Sequence, residues 1–230
     1  MAMLFRQLFE AESCTYTYLL GSRGQALLID PVQVHLDQYL ELLRDLDLDL
    51  VFAADTHTHA DHVTALGDLR DETGCVTLMG EECLAECVSR RLRDGERFGV
   101  GEIELSALYT PGHTNESYSF VMSDRVFTGD ALLIRGTGRT DFQNGDSYAA
   151  YDSLFNKLLK LPDETLVYPG HDYKGWTVST IGEERAHNPR LQVKSAEQYA
   201  AMMKALKLPT PKQMDVAVPA NLRCGRVAKQ

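Results

Sequence analysis

The apolar positions of the chain alternate between strand-like and helix-like spacing in both halves. Apolar, β-branched runs predict strands at residues 15–21 and 25–30, joined by a turn at Ser22, Arg23 and Gly24 into an antiparallel pair. Apolar residues three and four apart predict a helix at 36–46. Further strands are predicted at 50–56, 76–79, 103–109, 118–122, 125–128 and 165–168, and further helices at 62–73, 81–93, 148–161, 181–187 and 196–206. Such alternation favours packed sheets covered by helices.

Nothing in the sequence marks a domain boundary. It has no internal repeat, no low-complexity tract and no linker rich in Pro, Gly or Ser. Hydrophobic residues make up 44% of the chain and charged residues 24%, which is typical of a globular protein with a substantial core. We therefore expect one domain over residues 1–230, with a short C-terminal helical extension.

Charge and hydropathy narrow the class of partner. The formal net charge of -10 disfavours binding to nucleic acid, because an acidic surface repels phosphate. No run approaches the roughly 18 apolar residues of a membrane span. Arg6, Gln7 and Glu10 interrupt the N-terminal apolar positions, so they do not form a signal peptide. We expect a bacterial cytoplasmic protein, or a mitochondrial matrix protein if a transit peptide has been removed.

The five cysteines are scattered and odd in number, which does not indicate a disulfide framework. Cys83 and Cys87 are four residues apart in the predicted helix 81–93 and would share one face of it. The sequence favours small core side chains for this pair over a redox or metal role.

The densest cluster of chemically active side chains is the segment THTHADH, residues 56–62. Three His and one Asp fall within six residues, directly after a predicted buried strand: His57, His59, Asp61 and His62. Imidazole and carboxylate groups suit Zn, Fe or Mn better than soft metals. This segment therefore predicts a metal site.

Three further candidate ligands each follow a predicted strand and a glycine: His113, Asp130 and His171. Glycine before the ligand gives the backbone the freedom that a tight turn needs. Either histidine alone could be structural. The recurrence of strand, glycine and ligand, with five of the seven histidines in the combined set, indicates one metal centre.

The order HxHxDH, then separate His, Asp and His, resembles the metallo-β-lactamase superfamily. The resemblance covers nearly the whole chain. It implies an α+β fold, a four-layer αββα sandwich with the metal at one edge of the two sheets. It is specific for the fold and less so for the reaction, because one fold can host many chemistries.

Later segments resemble the glutathione persulfide dioxygenases, also called sulfur dioxygenases, which are related to glyoxalase II. The matching segments are GRTDFQ (138–143), YPGHDY (168–173), NPRL (188–191) and AVPANLRCG (217–225). The resemblance implies Fe(II)-dependent oxidation of glutathione persulfide by O2 to sulfite and glutathione. It implies one Fe(II) per chain, held by His57, His113 and Asp130 with coordination positions left open.

The resemblance also implies roles for the remaining candidates. His59, Asp61, His62 and His171 would orient the ligands or mark a vacant second-metal site. Tyr173 and Arg190 match substrate-binding positions, and Arg can hold a carboxylate of glutathione in bidentate fashion. Residue types and spacing favour a structural ion pair for Arg139 and Asp141, and helix-surface charges for Glu184 and Arg185.

Two alternatives stay open. A hydroxyacylglutathione thioester hydrolase of the glyoxalase II type would use two metals, although that family typically adds a longer helical C-terminal domain than the segment that follows His171 here. A non-enzymatic persulfide-sensing module would bind metal without turnover. The family resemblance further suggests a homodimer, and the absence of a fused sulfurtransferase domain makes any such enzyme a separate partner.

Overall fold

The computed structural model describes residues 3–209 and 213–226. The chain forms two compact units. Unit 1 comprises Met1–Leu92, Arg97–Leu105 and Thr210–Gln230, and unit 2 comprises Arg93–Glu96 and Ser106–Pro209. The candidate ligands are thus divided between a loop of unit 1 and three loops of unit 2.

The elements alternate much as the apolar pattern predicts. The strands are β1 Leu4–Glu10, β2 Thr15–Ser22, β3 Gln25–Ile29, β4 Asp49–Ala54, β5 Val76–Gly80, β6 Arg90–Leu92, β7 Arg97–Val100, β8 Ile103–Tyr109, β9 Tyr118–Val121, β10 Arg125–Gly129, β11 Leu132–Leu133, β12 Gly136–Thr137, β13 Leu166–Pro169 and β14 Ser179–Thr180. The α-helices are α1 Leu36–Asp45, α2 Leu66–Thr73, α3 Ser147–Asp152, α4 Ile181–His187, α5 Ala196–Ala205 and α6 Met214–Asn221. After α3 the chain continues as a π-helical turn, Ser153–Lys157, and a 3-10 turn, Leu158–Lys160.

The sheet of unit 1 has the strand order β1-β2-β3-β4-β5-β6. The first three strands are antiparallel, and β3 to β6 run parallel. Parallel strands end at the same edge of a sheet, so Asp30, after β3, and the segment that begins at Asp55, after β4, leave from one edge. α1 and α2 cover an apolar core that includes Leu28, Tyr39 and Leu66.

The second sheet has the order β14-β13-β10-β9-β8-β7. β9 is antiparallel to both β8 and β10, and β10 is parallel to β13. β8, β10 and β13 therefore run in the same direction, and their carboxyl ends share an edge. His113 follows the first, Asp130 the second and His171 the third, so the topology of unit 2 gathers three ligands that lie far apart in sequence.

The predicted helix at 81–93 is wrong. Residues 81–89 lie in turns and irregular backbone, and 90–92 form strand β6. The guanidinium of Arg91 donates hydrogen bonds to the backbone oxygens of Cys83 and Ala85, which a helix would have used internally. The expectation for Cys87 is wrong as well, since it forms a disulfide with Cys224, 137 residues away.

Glu184 also differs from expectation. We predicted a surface charge on the helix, but the side chain is fully buried. It pairs with Arg135 and accepts hydrogen bonds from Ser179 Oγ, at 2.6 Å, and Asn188 Nδ2, at 2.8 Å. A helical period of polar residues cannot distinguish a solvated charge from one that is paired inside.

Among the described residues, no helix is long and apolar enough to cross a membrane.

Candidate metal centre

The ligand segment of unit 1, residues 56–62, lies between β4 and α2 and belongs to neither. His57, His59 and His62 are all buried, with 3% of their surface or less exposed. The ring centroids of His57 and His59 are 4.2 Å apart, and those of His59 and His62 are 4.3 Å apart. Candidate ligand atoms of His59, Asp61 and His62 all lie within 4.8 Å of one another, so these three side chains could hold a metal.

Asp30 organises this segment from the neighbouring strand. Its carboxylate accepts hydrogen bonds from Thr56 N (2.7 Å) and Thr56 Oγ1 (3.0 Å), and lies 3.1 Å from His59 Nε2. Since the hydroxyl of Thr56 has one hydrogen and gives it to Asp30, it must accept from Nδ1 of His57, 3.0 Å away. This arrangement protonates His57 at Nδ1 and leaves Nε2 with the lone pair that a metal ligand needs.

One nitrogen of His59 fits a metal. The imidazole is fully buried, and no described residue offers a hydrogen-bond partner to Nδ1. Burial opposes the charged imidazolium, but the carboxylates of Asp30, Asp55 and Asp61 outweigh it and raise the pKa of His59 to about 9. A cation is therefore favoured here, and a metal ion would supply both the charge and the partner for Nδ1.

Asp61 and His62 form a second pair in the segment. His62 Nδ1 is 2.9 Å from Asp61 Oδ2, and the hydroxyl of Thr15 at the start of β2 lies 3.2 Å from each of these two atoms. Sequence reasoning overlooked Asp30 and Thr15. Both lie 25 residues or more from the motif in sequence, and only the alignment of neighbouring strands brings them to it.

Asp130 is the central ligand candidate of unit 2. Its Oδ1 lies 2.6 Å from Nδ1 of His171, and its Oδ2 lies 3.6 Å from Nε2 of His113. The 3.6 Å separation of Asp130 Oδ2 and His113 Nε2 is too long for a good hydrogen bond. These two atoms face each other as two ligand atoms would around one metal ion. The structure thus gathers the three unit 2 candidates around one carboxylate.

His113 has its tautomer fixed by the backbone. Nδ1 of His113 is 2.8 Å from the carbonyl oxygen of Arg139, so Nδ1 carries the hydrogen and Nε2 keeps the lone pair. Gly138 makes this approach possible. A Cβ there would stand 2.2 Å from the backbone oxygen of Asp130 and 2.9 Å from the His113 side chain. The Gly138 amide donates to that same Asp130 oxygen at 2.7 Å.

The three glycines that precede unit 2 ligands serve two purposes. Gly112 and Gly129 have positive φ angles of 143° and 48°, so conformational freedom matters there as the sequence suggests. Gly170 has no such angle. A Cβ at this position would be 2.9 Å from Oδ1 of Asp130, so Gly170 is needed for space beside the carboxylate.

Arg139 and Asp141 form a two-point ion pair beside His113. Nε and the second terminal nitrogen of Arg139 lie 2.7 and 2.9 Å from the two carboxylate oxygens. The guanidinium also donates to the backbone oxygen of Pro209 at 2.6 Å and stacks over Phe142. Hydrogen bonding to Arg139 lowers the pKa of Asp141. The pair holds the loop whose carbonyl orients His113.

The predicted substrate-binding residues belong to unit 2. Arg190 is partly buried, donates to the backbone oxygen of Thr137, and forms no ion pair with any residue that the structure describes. Burial lowers its pKa. Its charge can therefore serve an external anion. Tyr173 is 69% exposed, and its ring stacks in parallel with that of His171, with centroids 6.1 Å apart.

Known proteins match both the sequence and the fold. The family model described as "Metallo-beta-lactamase superfamily" matches residues 15–86 and 88–171. The Bos taurus protein "Persulfide dioxygenase ETHE1, mitochondrial" is 47% identical over 97% of this chain and 89% of its own length. The crystal structure of ETHE1 from Myxococcus xanthus is 53% identical with a TM-score of 0.95, covering 97% of this chain and 100% of that one.

A more distant structure is also similar to the chain. TTHA1623, solved in a di-iron-bound form, is 26% identical with a TM-score of 0.67, covering 80% of this chain and 98% of that one. The family match includes every candidate ligand from His57 to His171. The expected fold is therefore confirmed. The chain belongs to the metallo-β-lactamase superfamily, within the family of the persulfide dioxygenase ETHE1.

Proposed function

We propose that this protein is a persulfide dioxygenase that oxidises glutathione persulfide with O2 to sulfite and glutathione. The observation that carries this proposal is the 46–47% identity to mammalian persulfide dioxygenases over 97% of the chain. The reaction balances as GSSH + O2 + H2O giving GSH and H2SO3. The outer sulfur takes both atoms of O2, and water releases it from the glutathione sulfur.

We propose His57, His113 and Asp130 as ligands of one Fe(II) per chain. Two imidazoles and one carboxylate suit a ferrous ion and leave positions open. Bound there, Fe(II) would supply the redox chemistry that lets O2 react with a sulfur compound. Thr56 and the carbonyl of Arg139 hold the imidazoles of His57 and His113 in the tautomers that ligation needs. His171 donates from Nδ1 to Asp130 and fixes the direction of its carboxylate.

Arg190 and Tyr173 would bind the substrate. Glutathione carries two carboxylates, and Arg190 offers a partly buried guanidinium without an ion-pair partner among the described residues. The exposed ring of Tyr173 stacks on His171, so a substrate lying against that ring is held near the ligand carboxylate. These residues would orient the persulfide rather than take part in electron transfer.

A second candidate function is a two-metal thioester hydrolase. The buried Nδ1 of His59 and the close grouping of His59, Asp61 and His62 favour it, because they fit a further metal. In that reaction two metals would polarise a thioester carbonyl and supply hydroxide. The two functions predict different metal counts and different substrates.

The deciding experiment measures O2 uptake with glutathione persulfide on protein of known metal content. Uptake that tracks about one iron per chain, with sulfite formed, supports the dioxygenase. Two metals per chain, no uptake, and cleavage of lactoylglutathione would establish the hydrolase instead. Metal binding without turnover of either substrate would favour a sensing module.

We further propose that the two units act as one functional domain, since the family match runs through both. A homodimer, a separate sulfurtransferase that supplies the persulfide, and a cytoplasmic location, with the mitochondrial matrix as the alternative, complete the proposal. Size-exclusion chromatography with light scattering tests the homodimer, for which we expect a mass twice that of the 25.7 kDa chain.

A further inference from the structure

Asn221, at the end of α6, contacts the ligand segment from the far end of the chain. Its side chain is 3% exposed. The two hydrogens of Nδ2 are donated to the backbone oxygens of His59 and His62, both at 2.9 Å, and Oδ1 accepts from the backbone nitrogen of Thr64 at 2.9 Å. The side-chain amide thus makes three hydrogen bonds, through both donors and its acceptor, to the backbone between residues 59 and 64.

This contact replaces regular secondary structure. Residues 55–63 lie in neither a helix nor a strand, so their buried polar backbone groups need partners from elsewhere in the fold. The predicted helix at 62–73 begins only at Leu66. Asn221 takes up the backbone oxygen of His62, which a helix starting at residue 62 would have paired with the backbone nitrogen of Leu66, and it gives the backbone nitrogen of Thr64 an acceptor. It therefore sets the path of the segment.

The neighbours of Asn221 hold it against the segment. The backbone oxygen of Cys224 accepts from Gly67 N at 2.9 Å, and the Cys224 side chain is bonded to Cys87. Gly225 has a φ of +86°, and a Cβ there would stand 1.9 Å from the backbone oxygen of Thr64. The C-terminal turn thus approaches the segment so closely that only glycine fits.

We propose that Asn221 is a positioning residue for the metal centre, fixing the backbone that carries His57, His59 and His62. Its hydrogen bonds go to backbone atoms, so it acts through the carbonyls of His59 and His62. The proposal rests on the metal centre proposed above, but not on the identity of the reaction. It predicts that the C-terminal segment is required for tight metal binding, although it follows the motif by about 160 residues.

The test compares Asn221→Ala with Leu43→Ala. Leu43 is a buried residue of α1 in the core of the same unit, so its truncation lowers stability without touching the segment. Co(II) serves as the metal probe, with its affinity and its visible absorption spectrum as readouts. Amide hydrogen exchange at residues 57–64 is measured on metal-free protein.

We expect Asn221→Ala to weaken Co(II) binding by about 10- to 100-fold, as for other groups that orient ligands, and to alter the spectrum. Exchange at residues 57–64 should become faster. Leu43→Ala should lower the unfolding midpoint while keeping the affinity and the spectrum. Wild-type affinity and spectrum in Asn221→Ala, or equal losses in Leu43→Ala, would overturn the proposal.

Two further variants keep the test decisive. Asn221→Asp keeps an acceptor for Thr64 N but cannot donate to either carbonyl, so we expect a loss like that of alanine; wild-type binding would show that the donated bonds do not matter. Should Asn221→Ala fail to fold, Gly225→Ala keeps the Asn221 side chain but pushes the turn that holds it away from Thr64, so unchanged metal binding there would also contradict the proposal. If wild-type protein binds no Co(II), the metal centre itself is wrong, and the exchange measurement still tests the positioning of the segment.

Discussion

The two regions that carry the candidate ligands are built in opposite ways. In unit 1, four candidates lie within six residues, and distant parts of the chain hold them: Asp30 after β3 and Asn221 at the end of α6. In unit 2, three candidates lie 58 residues apart from first to last, and each simply follows a strand that points to the same edge. Sequence proximity supplies the first cluster, and sheet topology supplies the second.

This difference separates two sources of precision. A compact motif in an irregular segment needs hydrogen bonds from other parts of the fold, because nothing in its own backbone fixes its path. A ligand at a strand end inherits its position from the ladder of hydrogen bonds behind it. We therefore expect metal binding by unit 2 to be sensitive to loss of the ligands themselves. Metal binding by unit 1 should be sensitive to loss of the groups that hold its ligands.

The largest effect should come from removing a unit 2 ligand. His113→Ala or Asp130→Ala should lower iron affinity by more than about 100-fold and abolish O2 uptake, because even groups behind the ligands are typically worth 10- to 100-fold. Iron per chain and O2 consumption are the measurements. His187→Ala, an exposed histidine of α4, is the control and should keep both. Full turnover in His113→Ala would remove His113 from the site.

The next largest effect should come from removing the disulfide of unit 1. Cys87→Ser opens the bond to Cys224 and should lower the free energy of unfolding by about 2–5 kcal/mol, because the bond restricts the unfolded chain over a separation of 137 residues. Chemical unfolding measures the change. Reducing agent should lower the free energy of unfolding of the wild type to that of the variant and leave the variant's value unchanged. A wild type indifferent to reducing agent would show that the bond contributes nothing.

The clamp on the unit 1 ligands should have a smaller effect on metal binding than a ligand itself. Asp30→Asn keeps the shape but loses the negative charge that accepts from Thr56 and faces His59. We expect about tenfold weaker metal binding, measured by titration. Asp45→Asn, an exposed change at the end of α1, is the matched control. Equal affinity in both variants would argue that unit 1 needs no clamp at Asp30.

The substrate residue should act on KM rather than on the metal. Arg190→Ala should raise KM for glutathione persulfide about tenfold, since hydrogen bonds to charged groups are worth about 1.5–3 kcal/mol. Iron content should not change. Arg185→Ala, whose guanidinium pairs with Asp163, controls for the loss of a nearby arginine. Unchanged kinetics in Arg190→Ala would place the substrate elsewhere.

The smallest effect should come from the ion pair that supports the His113 loop. Arg139 lowers the pKa of Asp141 below its ordinary 3.8, so the pair stabilises the fold above that value and loses its effect as pH falls through the lowered pKa. Because Asp141 is largely exposed, Asp141→Asn should cost less than about 1 kcal/mol at pH 7. Urea unfolding at pH 7 and pH 3 measures this. A difference from wild type that grows towards low pH would contradict the assignment.

The sequence by itself determined the elements whose apolar pattern is regular. The strands and helices from Thr15 to Ala54, and α4 and α5, lie within a few residues of their predicted positions. It also identified the superfamily, because His57, His113 and Asp130 stand in a motif order that is typical of it. The resemblance to persulfide dioxygenases followed from short segments that are weak singly and specific in order.

Only the tertiary structure decided which groups hold the candidate ligands in place. Asp30, Thr15 and Asn221 have no local signal, because their role depends on which strand or helix end comes to lie beside the motif. The disulfide of Cys87 and the buried charge of Glu184 were missed for the same reason. Local periodicity reports which face of an element is apolar. It carries no information about which distant polar group will satisfy a buried carbonyl, and in this protein those distant groups position the ligand segment of unit 1.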